Sequence, residues 1–120
     1  MSAQPPQKTN ICAVIVTYRP DRNFPERISC ILPQVDHLVI VDNRSGGKAD
    51  QMLRDISKSG ERACLILNKK NLGVATALNI GIRWAKDHAY LWVLTFDQDT
   101  IAEEFMVQKL VEAYESYALK

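Results

Sequence analysis

A chain of 120 residues has room for one domain with a real core, near the lower end of what an enzyme needs. Its 47% hydrophobic and 24% charged residues are those of a globular domain, and a net charge of +1 from scattered Lys and Arg leaves no electrostatic footprint for nucleic acid. No run approaches the roughly 18 apolar residues that span a bilayer, and the opening "MSAQPPQKTN" lacks a signal peptide's apolar segment, so residues 1–10 are expected to be a flexible polar lead-in and the protein cytoplasmic.

The first apolar run, "ICAVIVTY" (11–18), is short and β-branched, as a strand buried on both faces should be. Phe24, Ile28, Ile31, Leu32 and Val35 follow at helical spacing, with Asn23 placed to cap them, Pro25 in the first turn and Glu26 three residues past the cap. "HLVIVDN" (37–43) reads as a second strand, and Ala49, Leu53 and Ile56 as a narrow helical stripe that stops near Gly60. "ACLILN" (63–68) is the third strand; Ala75, Leu78, Ile82 and Ala85 line the third helix. "YLWVLTFD" (90–97) is the fourth strand. A fourth helix is expected to begin near Ile101, capped by Asp99 or Thr100, and to be lined by Met106, Leu110, Ala113 and Tyr117. Strand and helix alternating four times, with strands apolar throughout, predict a three-layer α/β/α fold with a mostly parallel, Rossmann-like sheet. The closing "YESYALK" has no glycine cap and no following strand, which predicts that the chain is the first part of a larger domain.

Cys12, Cys30 and Cys64 lie far apart inside apolar runs. That pattern gives neither a disulfide framework nor a zinc spacing, and predicts buried thiols in a reducing compartment. His37 and His88 have no Cys or carboxylate at ligand spacing, so no histidine metal site is expected.

Ligands of open α/β sheets bind outside the carboxyl ends of the strands. Those ends read "TYRPD", "DNRSGG", "NKKNLG" and "FDQDT", all polar. Asp42 is placed to accept a hydrogen bond from a base or sugar, or equally to close an Asx turn before "SGG". Arg19, Lys69 and Lys70 are candidates for phosphate oxygens or simply solvated cations. Asn71 is a candidate cap for the third helix, and Gly73 would let its backbone approach a ligand. Asp97 and Asp99, one residue apart at the end of a buried strand, repel each other unless a cation or donors lie between them. Hard oxygens in that position suit Mg²⁺ or Mn²⁺ held partly by bound phosphates. The first strand is followed by no glycine-rich loop, which excludes P-loop and dinucleotide chemistry. A receiver domain would need an acidic pair after its first strand and an Asp after its third, and "TYRPD" and "LILNKKN" supply neither.

In this order and spacing, "VIVTYRPD", "VDNRS", "NLGVATALNIGI" and "WVLTFDQDT" resemble the family 2 glycosyltransferases of GT-A fold. More narrowly they resemble bacterial rhamnosyltransferases that build cell-surface polysaccharide from dTDP-rhamnose. The resemblance implies that residues 11–120 are the nucleotide-sugar-binding half of such a domain, the acceptor half lying outside the chain. It implies that Thr17 and Tyr18 line the nucleotide pocket, that Asp42 accepts from a base N–H, and that Asn71 and Gly73 border the nucleotide. Asp97 would meet the sugar side of the nucleotide, and Asp99 would bind the Mg²⁺ or Mn²⁺ that bridges the diphosphate.

The reaction implied is inverting transfer of L-rhamnose to a glycan or lipid-linked acceptor, with a carboxylate base on the acceptor hydroxyl. No catalytic residue of this chain matches that base, which is expected beyond Lys120; Glu103 and Glu104 do not occupy its position. The isolated chain is then expected to be inactive, the full-length protein to work at the cytoplasmic face of the inner membrane, and an uncovered sheet edge to favour a homo-oligomer. The alternative is a non-catalytic module that binds a nucleoside diphosphate.

Overall fold

Six of the first seven sheet residues are almost wholly shielded from solvent, and five of them, Ile11, Cys12, Ala13, Val14 and Ile15, form an apolar run, because their strand has something to meet on both faces. The computed structural model describes residues 4–60 and 62–118. β1 (Ile11–Thr17), β2 (His37–Asp42), β3 (Ala63–Leu67) and β4 (Trp92–Phe96) form one parallel sheet in the order β3-β2-β1-β4. Four helices cover it: α1 (Phe24–Ile31), α2 (Gly47–Lys58), α3 (Val74–Asp87) and α4 (Met106–Ala118).

Strand periodicity sorts the core into two layers. Ile11, Ala13 and Ile15 of β1 and Leu38 and Ile40 of β2 point to one face. There they meet Phe24, Ile28 and Ile31 of α1, Leu53 and Ile56 of α2, and Val107 of α4. Cys12, Val14, Val39 and Val41 point to the other face, against Ala77 and Ala85 of α3. Each fully buried aliphatic side chain contributes about 1.5–3 kcal/mol, and the two central strands supply six of the largest, Val14, Ile15, Leu38, Val39, Ile40 and Val41. This is the expected three-layer sandwich.

α3 packs unusually close to the sheet. A Cβ added at Gly81 would stand 2.3 Å from Val14 Cγ1 and 3.2 Å from Val41 Cγ2. Its buried stripe is therefore Ala77, Gly81 and Ala85, small residues one turn apart, and the predicted stripe is corrected: Ala75 and Ile82 are exposed. α4 differs too. Its inner face is Met106, Val107 and Val111, while Leu110 and Tyr117 are 46% and 79% exposed. It begins at Met106 and not near Ile101, because the chain after β4 first makes a turn closed by Thr100 N–H on the Asp97 carbonyl at 3.0 Å.

α1 stops at Ile31 and passes into a 3₁₀ turn over Leu32–Gln34, so Val35 is buried but not helical. Pro33 has no N–H to continue the ladder. Asn23 makes no capping bond; Asp21 takes that role, its Oδ1 accepting Asn23 N–H at 2.9 Å and its carbonyl Phe24 N–H at 3.1 Å.

The thiols are also corrected in part. Cys12 is buried and Cys64 half-buried, but Cys30 is exposed on the outer face of α1. Burial, then Cys64 and Asp36 nearby, push the Cys12 thiol up to about 12, so it is inert at neutral pH. Of the polar lead-in, residues 1–3 lie outside the described residues. Residues 4–10 lie against the sheet edge, with Pro6 buried, Trp92 Nε1 donating to the Gln4 carbonyl at 2.9 Å, and a 3₁₀ turn at Lys8–Asn10. Among the described residues no helix is long and apolar enough to cross a membrane.

Candidate functional site

The strand order reverses between β1 and β4. β1 connects through α1 to β2 on one side, whereas β3 connects through α3, on the opposite face, to β4 on the other side. Chains leaving the carboxyl ends of β1 and β4 diverge at that point and leave a crevice between them. It measures about 480 Å³ and is bordered by Tyr18, Asn43, the Asn71–Gly73 loop, and Asp97, Gln98 and Asp99. Two larger grooves, of about 580 and 560 Å³, lie between α1 and α2 and beside α4, away from the strand ends. Among the described residues, the polar strand ends converge at the smaller one.

Asp97 and Asp99 are exposed at its mouth. Among the described residues no donor bonds either carboxylate; only the Asp97 carbonyl is engaged, by Thr100. No group of three or more His, Cys, Asp or Glu side chains that would cage a metal is found among the described residues. The chain thus offers two free hard-oxygen donors and no closed cage. That set fits Mg²⁺ or Mn²⁺, which keep waters or phosphate oxygens in their remaining positions.

Thr17 and Asp42 lie behind the wall of the crevice, not on it. Both are fully buried. Asp42 Oδ1 accepts from Thr17 Oγ1 at 2.7 Å and Ser45 Oγ at 2.6 Å, and Oδ2 accepts from Ser45 N–H at 2.8 Å. Asp42 therefore closes the turn before "SGG" from within, though on the N–H three residues on and not two as an Asx turn would. Ser45 Oγ in turn accepts Arg19 N–H at 2.6 Å, so one buried carboxylate ties the loop after β1 to the loop after β2.

The loop before α3 is held by a residue that the sequence did not single out. Asn43, 2% exposed, donates through Nδ2 to the Gly73 carbonyl at 3.1 Å. Its Oδ1 accepts from Asn68 Nδ2 at 2.9 Å and Leu72 N–H at 3.2 Å. Asn71 does not cap the helix directly: its Oδ1 accepts Gly73 N–H at 2.9 Å, and Gly73 itself is the N-cap, at φ +84°. That positive φ is a conformation glycine adopts without strain. Lys69 and Lys70 are exposed and do not line the crevice, and the Arg19 guanidinium lies over the Tyr18 ring, 5.0 Å from its centroid.

Gln98 is the second such residue, its side chain reaching back to the Tyr18 main chain. In sequence it looks like a spacer between two acids. A buried amide after a strand and a spacer between acids carry no periodic signal, so only the fold exposes either role.

Of the predicted residues, then, Tyr18, Asn71, Gly73, Asp97 and Asp99 come together around the crevice, and Thr17 and Asp42 support it from within.

Comparison with known proteins bears on the family and the fold. The chain is 37% identical over 103 residues to the dTDP-rhamnosyl transferase RfbF of Shigella flexneri, which covers 85% of this chain and 33% of that protein. It is 27% identical over 104 residues to an uncharacterized glycosyltransferase of Haemophilus influenzae, covering 84% of this chain and 31% of that protein. The chain thus spans about a third of the length of these curated relatives. Among solved structures, the mannosyltransferase PcManGT of Pyrobaculum calidifontis, in complex with GDP-Man and Mn²⁺, superposes with a TM-score of 0.69 at 20% identity, covering 92% of this chain and 33% of that one. The α/β fold therefore matches that of GT-A glycosyltransferases. The model for Glycosyl transferase family 2 matches residues 12–119, from β1 to the end of α4 and across every strand end that borders the crevice; the chain belongs to that family.

Proposed function

We propose that this chain binds the nucleotide-sugar donor of a rhamnosyltransferase, dTDP-rhamnose, in the crevice between the ends of β1 and β4. The observation that carries the reading is the convergence there of Tyr18, the Asn71–Gly73 loop and two unpartnered carboxylates, Asp97 and Asp99. The choice of donor draws on the 37% identity to a dTDP-rhamnosyl transferase.

Tyr18 and the Gly73 backbone border the nucleotide, and the buried Thr17–Asp42–Ser45 set fixes the wall behind it. Asp97 meets the sugar side of the nucleotide, and Asp99 holds the divalent cation. Bound there, Mg²⁺ or Mn²⁺ supplies Lewis-acid stabilisation to the departing diphosphate. The chain's own contribution would be to present two carboxylates at the crevice, on a loop that Gln98 ties to the Tyr18 main chain.

The acceptor is a glycan or lipid-linked glycan of cell-surface polysaccharide. Its hydroxyl needs a carboxylate base, and the crevice lining holds no carboxylate besides Asp97 and Asp99. We therefore assign donor binding to these residues and the acceptor chemistry, with inversion at the sugar, to a group outside them.

Calorimetric titration of dTDP, dTDP-rhamnose and UDP, with Mn²⁺ and with EDTA, tests the reading. Binding of the dTDP compounds should require the cation and should weaken in Asp99→Asn by more than the about tenfold that losing even a supporting residue costs a metal site. Binding that is indifferent to EDTA and to Asp99→Asn would remove the cation from the account. Equal binding of UDP would remove the thymidine assignment.

A further inference from the structure

Gln98 stands between the two acids, and both of its ends are anchored. β4 pairs with β1 only as far as Ile15 opposite Phe96. Beyond that register the acidic loop turns on itself, yet Gln98 prolongs the pairing with its side chain. Its Oε1 accepts Tyr18 N–H at 2.8 Å, and its Nε2 donates to the Tyr18 carbonyl at 3.2 Å. A carboxamide here replaces one rung of the ladder. On the other side, the Gln98 carbonyl accepts Arg27 Nε–H at 3.0 Å. Arg27 comes from α1, is only 15% exposed, and pairs through Nη2 with Asp21 at 3.0 Å. Asp21 also caps the start of α1.

Two like-charged side chains one residue apart gain by moving apart. Nothing bonded to the Asp97 or Asp99 carboxylates opposes that among the described residues, so the restraint has to come from the main chain between them. Gln98 supplies it from two directions at once. A metal site whose ligands are already held binds more tightly than one that must first order its loop.

We propose that Gln98 and Arg27 are positioning residues for the cation: the Asp21–Arg27–Gln98–Tyr18 clasp holds the two carboxylates on the crevice side and sets how strongly Mg²⁺ or Mn²⁺ supports nucleotide binding. The proposal rests on the donor-site reading above. It adds that the residue between the acids is a functional part of the site, and that α1, which does not border the crevice, acts on it through Arg27.

The test compares wild type with Gln98→Ala, and with Gln98→Met, which keeps the length of the side chain and loses both bonds to Tyr18. The quantity read is the ratio of the dTDP dissociation constants in EDTA and in Mn²⁺. Binding of Mn²⁺ alone, followed by the paramagnetic resonance of the free ion, is read alongside. Losing two neutral hydrogen bonds from a preordered loop should lower that ratio about tenfold and weaken Mn²⁺ binding alike. An unchanged ratio in a folded variant overturns the proposal, and so does equal weakening with and without the cation, which a merely structural role would give. Gln98→Met carries the test if Gln98→Ala does not fold. A wild-type chain whose dTDP binding ignores Mn²⁺ sinks the donor-site reading itself, so that failure shows before any variant is made.

Discussion

Asp42 illustrates how one side chain can look like a ligand and act as a tie. Its carboxylate is fully buried and takes three hydrogen bonds from Thr17 and Ser45. Removing it leaves the buried Thr17 hydroxyl, and the half-buried Ser45 hydroxyl and amide, without their acceptor. Asp42→Ala should therefore lower stability by about 2–4 kcal/mol, read by chemical denaturation. An unchanged midpoint together with lost nucleotide affinity would instead put that carboxylate in contact with the ligand. The sequence made Asp42 visible, because an acid ending an apolar run is conspicuous. It did not say which way the oxygens face. Asn43, its neighbour, does not stand out in the sequence, since an Asn beside a turn is ordinary; its three bonds to the 68–73 loop exist only once β2 and that loop are neighbours in space.

At the scale of elements, the strands and the number of helices were legible because apolar runs of five to seven residues and helical stripes carry strong periodic signals. The faces of α3 and α4 were not. Of the stripe Ala75, Leu78, Ile82 and Ala85, the structure buries Ala85 and packs Leu78 beside it, but exposes Ala75 and Ile82. The helix turns its small residues, Ala77, Gly81 and Ala85, to the sheet, because a Cβ at Gly81 would meet Val14 and Val41. Two effects oppose each other at Gly81. Alanine gains about 1 kcal/mol of helix propensity over glycine, but its Cβ would fall 2.3 Å from Val14 Cγ1, a stiff β-branched side chain with no free space around it. Overpacking of that kind costs about 1–3 kcal/mol, so Gly81→Ala should be net destabilising in thermal or chemical melts. A net gain in stability would mean that α3 has room to lift. The start of α4 is hidden for a different reason: Thr100, Glu103 and Glu104 resemble a helix start, but the turn at Asp97–Thr100 comes first and shapes the acidic loop.

For the molecule as a whole, a parallel sheet with a reversal of strand order creates the crevice, and four polar strand ends then place their side chains around or behind it. The sequence indicated this much: four strand–helix units, with chemistry gathered at one end of the sheet. The clasp that joins β1, β4 and α1 through Gln98 was hidden, because it depends on residues 80 and 71 positions apart meeting in space. The central claim is that donor nucleotide binds between the ends of β1 and β4. The most direct measurement is amide chemical-shift mapping of the ¹⁵N-labelled chain titrated with dTDP in the presence of Mg²⁺. The account predicts the largest shifts at Tyr18, Asn71, Gly73, Asp97, Gln98 and Asp99, and none at Gln51 and Met52 in the groove between α1 and α2. Shifts centred on that groove, or none at saturating nucleotide, would contradict it.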